Sequence, residues 1–320
     1  MNQLLEVVDL RTYFYTFRGV VRAVDGISFT VNEGESVGLV GESGSGKTVT
    51  GMSILNLIQA PGRIVQGQII FSGQELTRLP ESELQKIRGK KISAIFQNPR
   101  TALNPLMKVG DLIDRVYRHH TGASKSDAKQ RRMEILERIA ISEPERFSER
   151  YPHQLSGGMC QRVFIGMALM CNPELVIADE PTTGLDVTVQ KQILSLLTEE
   201  RQRINAAQIL ITHDLGIVAE NCSRVIVLYG GKIMEIASTL DLFGSPLHPY
   251  TKGLLASISR LDIDDKPKIL PGLVPNPLDI PSGCPFHPRC YRREDKCMTM
   301  EPILRIINTN RQVACHFYDA

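Results

Sequence analysis

Residues 41 to 48 read GESGSGKT and residues 155 to 159 read LSGGM. The first run fits G-x-x-x-x-G-K-[ST], a turn whose backbone N–H groups wrap the α- and β-phosphates of a nucleotide. In that pattern Lys47 reaches the β- and γ-phosphates, and the Thr48 hydroxyl is offered to Mg2+. The second run is another glycine-rich turn suited to an anion. Leu175 to Ala178 is an apolar strand that ends in Asp179-Glu180. One carboxylate there can hold Mg2+ through water, and the next can orient and polarise an attacking water. His213 follows a strand expected over 208–212 and emerges on the carboxyl edge that also carries the phosphate turn, where it can bond a γ-phosphate and the water. Gln97 ends a strand expected from Ile92 and can coordinate Mg2+ or water. An acid after a strand, or a His beside Asp214 ahead of a helix, is ordinary in isolation. Their conjunction with the phosphate turn gives them a chemical reading.

The elements must deliver these groups to one place. Leu4 to Phe17 and Val21 to Val31 alternate apolar and polar residues, with Asp25-Gly26 and Glu33-Gly34 as turn signals, so antiparallel strands come first. Ser36 to Val40 is an apolar run leading into the phosphate turn, and Thr48 to Ile58 has helical spacing. Gln68 to Phe71 and Ile92 to Gln97 read as strands. Pro105 to Arg150 reads as helical, with Val109, Leu112, Ile113 and Val116 on one face and Met133, Ile135, Leu136 and Ile139 on another. A helix over 161–170, a strand over 175–178, a helix over 187–203 and strands over 208–212 and 225–228 follow. This alternation predicts an α/β fold with a parallel sheet covered on both faces. Beyond Leu242, prolines at 246, 249, 267, 271, 275, 277, 281, 285 and 288 leave little room for long helices.

Composition narrows the class. Over 320 residues, a net charge of +2 supplies no global field for gripping nucleic acid. The short basic runs at 88–91 and 130–132 read as solvated helix faces. The longest apolar stretch, Val163 to Met170, falls well below the roughly 20 residues of a spanning helix. The mixed opening, with Asn2, Gln3 and Glu6, lacks a secretory signal pattern, so a cytoplasmic location is expected. Cys160, Cys171 and Cys222 stand apart in apolar or helical context as small core residues.

Taken in order, the turn at 41–48, Gln97, LSGGM, Asp179-Glu180, Gly184-Leu185-Asp186 and His213 resemble the nucleotide-binding domains of ABC transporters over about residues 1 to 240. The resemblance implies a P-loop NTPase of ABC type with a RecA-like core, an antiparallel β subdomain and a helical subdomain inserted at about 100–170. It implies that Ser43, Gly44, Ser45, Gly46, Lys47, Thr48 and Val49 bind ATP and that an aromatic, Tyr13 or Phe14, stacks on adenine, with Phe17 also a candidate. It further implies that Thr48, Gln97 and Asp179 hold Mg2+, with Glu180, His213 and Gln97 catalytic. Ser156, Gly157 and Gly158 would bind the γ-phosphate of ATP on the opposite subunit, as a helix N-terminus presenting backbone donors, with Asp186 at the dimer seam. Met159 departs from the commonest signature, LSGGQ. The serine and glycines carry the phosphate contacts, so a change in affinity or rate is expected rather than loss.

Two further segments resemble dipeptide and oligopeptide importer ATPases: QNPRTALNP at 97–105, and HPYTKGLL at 248–255 with the proline-rich 271–288. The implied organisation is a nucleotide-binding domain over 1–242 and a small Cys-rich C-terminal extension over 243–320. The implied activity is ATP hydrolysis energising import of di- or oligopeptides, with nickel import as the alternative. The implied partners are a second, related ATPase subunit, two membrane permease subunits and, indirectly, an extracellular substrate-binding protein, with this chain peripheral on the cytoplasmic face of the cell membrane. Nucleic-acid-linked relatives insert a long coiled coil or a zinc module between the two turns, whereas here 107 residues separate Lys47 from Leu155 and no heptad run is present. Cys284, Cys290, Cys297 and Cys315 are spaced C-x5-C-x6-C-x17-C. That spacing is open to a [4Fe–4S] cluster, to Zn2+ bound by the four cysteines or with His287 or His316 in place of one, or to four free thiols. The resemblance favours the cluster.

Overall fold

The alternating N-terminal segments form two long strands, β1 (Gln3–Thr16) and β2 (Gly19–Asn32), in a computed structural model that describes residues 2–257 and 270–318. Pro267 lies outside the described residues. The strands that follow are β3 (Ser36–Val40), β4 (Gly62–Phe71), β5 (Gln74–Glu75), β6 (Ile92–Ile95), β7 (Leu175–Asp179) and β8 (Ala207–Ile211). The last four are β9 (Arg224–Tyr229), β10 (Lys232–Ser238), β11 (Arg305–Asn308) and β12 (Arg311–Val313). The chain divides into two compact units, one built on 32–35 and 79–209, the other on 3–31, 36–78 and the chain from 210 onward.

In the second unit, β2, β1, β4 and β5 make a four-stranded sheet in that order, with β1 and β4 antiparallel. A mixed sheet holds β3 parallel to β9, then β10, β12 and β11, each antiparallel to the one before. Every residue of β3 is buried, which explains its continuous apolar run. Gly38 in β3 lies close against the helix Leu215–Asn221, where a Cβ would be 2.6 Å from Val218 Cγ1. Asp25-Gly26 does not turn the chain as expected: both residues lie inside β2, with Gly26 at φ 82°. Asp25 is recruited by neighbours instead, pairing with Arg11 at 2.9 Å and Lys232 at 3.4 Å and accepting from the Tyr13 hydroxyl at 2.6 Å. Burial pushes its carboxyl upward, yet these partners together hold it below the ordinary range.

In the first unit, β6 and β7 are parallel, from Ile92 opposite Leu175 to Ile95 opposite Ala178, and β8 lies beside β7. The expected helical insert resolves into helices including Val109–Thr121, Lys125–Arg138 and Gly157–Leu169. The last begins four residues before the position expected from apolar spacing, because Ser156 caps it. Ile135, Leu136, Ile139, Val163, Ile165 and Leu169 are buried there, each contributing about 1.5–3 kcal/mol by removal from water.

The iron–sulfur cluster expected on Cys284, Cys290, Cys297 and Cys315 is overturned, and the zinc alternative with it. Among the described residues, no group of three or more His, Cys, Asp or Glu side chains is arranged to hold a metal ion. All four are free thiols. Burial pushes Cys284 up to about 12 and raises Cys290 and Cys315. Polar contacts hold the segment together instead. Cys284 N–H donates to Cys297 O at 2.9 Å, and Arg289 Nε donates to Pro271 O at 2.9 Å.

Candidate active site

The phosphate turn belongs to the second unit and connects β3 to the helix Lys47–Ile54. Gly46 at φ 104° is the N-cap, with no side chain bonding the first-turn N–H groups. Donors there are left for a ligand, at the positive end of the helix. Glycine is required at two positions by backbone rather than by side chains. A Cβ on Gly41 would collide with Leu228 O, and one on Gly46 with Ala23 O. Lys47 is buried, its Nζ donating to Gly41 O at 2.8 Å and Glu42 O at 3.0 Å, so the loop's own carbonyls hold the ammonium over the cradle. Among the described residues the buried Ser45 hydroxyl has no partner, and it is the type of donor that an anionic oxygen satisfies. Ser43, Gly44 and Thr48 are exposed, with Val49 half-buried behind them.

His213 follows β8, and the preceding Thr212 donates its N–H to Leu39 O at 3.4 Å, one residue from the end of β3. Histidine and phosphate turn therefore leave neighbouring chain ends. Asp214 caps the helix Leu215–Asn221, accepting from Gly216 N–H at 2.8 Å, and fixes the turn in which His213 is exposed. Tyr13 is engaged by Asp25, and the Phe14 ring packs over Gly62. Phe17, in the turn after β1, is 95% exposed.

In the first unit, taken by itself, the acids expected after a strand lie at the end of β7. Asp179 closes β7 and is buried, while Glu180 follows at φ 45°. A glutamate in that left-handed region costs about 1–3 kcal/mol, strain that clusters at functional positions. Its carboxylate Oε2 accepts from Thr183 Oγ1 at 2.8 Å and from Gln97 Nε2 at 3.2 Å. Gln97 and Glu180 thus meet as the carboxyl edge of parallel β6 and β7 requires. Ser156 caps Gly157–Leu169 by accepting from Met159 N–H at 3.3 Å. Gly158 sits where a Cβ would be 2.9 Å from Val189 Cγ1, so the helix end lies close against Val187–Arg203. Asp186 caps that second helix, accepting from Val189 N–H at 3.0 Å.

Sequence reasoning missed Glu42, Tyr250 and Arg289. Glu42 N–H donates to the Tyr250 hydroxyl at 2.9 Å, and its carboxylate is forked by Arg289 at 2.6 and 3.0 Å. The acid within the phosphate turn was the available signal, since a carboxylate there needs a cation.

The ABC transporter family matches residues 24–183, and the oligopeptide/dipeptide transporter C-terminal region matches 234–297. The chain is 48% identical to the oligopeptide transport ATP-binding protein AppD of Bacillus subtilis, covering all of this chain and 98% of the relative. It is 47% identical to the oligopeptide protein OppD of Salmonella typhimurium, covering 98% of this chain and 93% of the relative. It is 45% identical to the dipeptide protein DppD of Escherichia coli, covering 98% and 96%. Among solved structures, a dimeric bacterial ABC transporter cassette superposes with a TM-score of 0.66 at 27% identity, over 74% of this chain and 99% of the other. A dimeric post-hydrolysis cassette bound to ADP and Pi gives 0.65 at 28% identity over the same shares.

Proposed function

Because this chain belongs to the ABC transporter family, as an ATP-binding subunit of oligopeptide and dipeptide transporters, we propose a division of labour among its residues. It hydrolyses ATP, with Mg2+, to energise peptide import, and works with membrane permease partners. The relatives' names speak for peptides over nickel. Among the described residues no helix is long and apolar enough to cross a membrane, so the membrane passage falls to those partners.

In the proposed scheme the N–H groups of Ser43 to Val49 and the Lys47 ammonium take the phosphates, and Ser45 Oγ finds its partner there. Thr48, Gln97 and Asp179 offer hard oxygen donors of the kind Mg2+ takes, and the ion neutralises developing phosphate charge when bound. Glu180 activates water. The observation carrying that role is the convergence of Gln97 and Thr183 on one carboxylate oxygen, which sets its orientation before a water arrives. His213 contacts the γ-phosphate. For the adenine, Tyr13 and Phe14 are joined by the more open ring of Phe17.

Ser156, Gly157 and Gly158 act on ATP held by a partner ATPase, with Asp186 at the seam. The Ser156-capped helix end supports this, as does the dimeric state named for the solved cassettes. The partner is a related second subunit, the complex sits on the cytoplasmic face, and an extracellular binding protein delivers the peptide. Reconstitution with permease subunits and uptake of labelled di- and oligopeptides tests the scheme. ATP-dependent peptide uptake is expected, and nickel uptake in its place would redirect it.

A further inference from the structure

The phosphate turn contains an acid. Glu42 is its second residue, and a carboxylate there opposes the anion that the turn binds. Arg289 meets it with a planar fork, Nη1 to Oε2 at 2.6 Å and Nη2 to Oε1 at 3.0 Å, from a side chain only 4% exposed. The guanidinium is held from behind. Its Nε donates to Pro271 O at 2.9 Å, Nη1 also donates to Tyr229 Oη at 3.3 Å, and the Tyr229 and Phe286 rings lie 5.7 and 5.9 Å away. The Glu42 bond pushes its pKa up, so it stays charged.

The backbone of the same acid is fixed as well. Its N–H donates to the buried Tyr250 hydroxyl at 2.9 Å, while its carbonyl accepts from Ser45 N–H at 3.2 Å and Lys47 Nζ at 3.0 Å. Tyr250 stands in the first turn of the helix Pro249–Ala256, which His248 caps through Nδ1 at 3.0 Å. Both holding residues come from the segment after β10, and both converge on one position of the turn.

We infer that Arg289 and Tyr250 are positioning residues for nucleotide binding: Arg289 neutralises Glu42, Tyr250 pins its backbone, and the C-terminal segment thereby sets the charge and shape of the phosphate cradle. The inference rests on the ATPase reading of that cradle.

Full-length wild type, Arg289→Ala, Tyr250→Phe and the double variant Glu42→Gln/Arg289→Ala are titrated with a fluorescent ATP analogue, and hydrolysis is followed across ATP concentrations. Arg289→Ala should weaken binding and raise KM about tenfold, with a smaller change in kcat, as expected for losing a charge-assisted pair. Tyr250→Phe should weaken binding about threefold, the scale of one neutral hydrogen bond. The double variant should recover most of what Arg289→Ala loses, because no unpaired carboxylate remains.

A merely structural Arg289 would leave the double variant no better than Arg289→Ala, and that result overturns the inference. Unchanged affinity in Tyr250→Phe, which removes one oxygen and keeps the ring, overturns the backbone half even where Arg289→Ala does not fold. Arg289→Gln, which keeps part of the stem, then tests the charge half by the same rescue. A wild type that binds no ATP overturns the ATPase reading itself, whereas a binding wild type beside unaffected variants overturns this inference alone.

Discussion

Two glycine-rich helix entrances on one chain are held in different ways. GESGSGKT enters its helix through Gly46 with no capping side chain, whereas LSGGM enters through Ser156, whose hydroxyl already occupies one first-turn N–H. The first turn is bounded by backbone, since the Leu228 and Ala23 carbonyls leave Gly41 and Gly46 no room. The second is bounded by a valine methyl at Gly158, which can shift. A glycine-rich helix entrance is thus built once as a cradle steadied by an ion pair and a tyrosine, and once as a helix end steadied by packing.

The largest effect is expected at Glu180, which lies in neither turn. Glu180→Gln should cut hydrolysis about 10³-fold, within the range for losing a general base, while ATP stays bound in a closed dimer. Wild-type turnover in that variant would remove Glu180 from the role. The rigidity contrast is sharpened by Gly41→Ala and Gly158→Ala. Urea unfolding should show a loss of about 3 kcal/mol for the first, from strain and a backbone clash, against about 1 kcal/mol for the second. Equal losses would erase the distinction.

Acid separates the two supports next. Burial holds the His248 imidazole neutral until about pH 3, while the unfolded chain takes up that proton near pH 6.5. The folded state therefore binds fewer protons, and stability is complete above pH 6.5 and falls as pH drops toward 3. By pH 5 the loss from this group should reach about 2 kcal/mol. His248→Asn can retain the cap without titrating, so its stability curve should be flatter, and parallel curves would exclude His248. The smallest effect is expected from Ser156→Ala, about 1 kcal/mol of helix capping, read by thermal unfolding.

The placement of Lys47, Glu180, His213 and Ser156 was legible, because a turn, a strand end or a helix cap is written within a few residues of each. β3, β7 and β8 were recognisable as short apolar runs because they are buried throughout. Asp25-Gly26 misled, because a turn dipeptide carries no record of Arg11 and Lys232 approaching from elsewhere. The cysteines misled similarly, since spacing along the chain does not report how their side chains are arranged in space. Arg289 was invisible because its partner lies 247 residues away.

Glu235 in β10 bears on how separable the tail of this protein is. It is fully buried, pairs with Arg311 at 3.0 Å, and accepts the N–H groups of Leu247 at 3.0 Å and His248 at 2.9 Å. Its charge lies ahead of residue 242, but its compensation lies beyond it. A chain cut after residue 242 would keep the buried acid and discard its counterion, a fault costing about 3–5 kcal/mol in comparable sites. The tail is therefore not an accessory that could be trimmed or traded between relatives at will. The acid in the sheet and the arginine after it are one unit of stability.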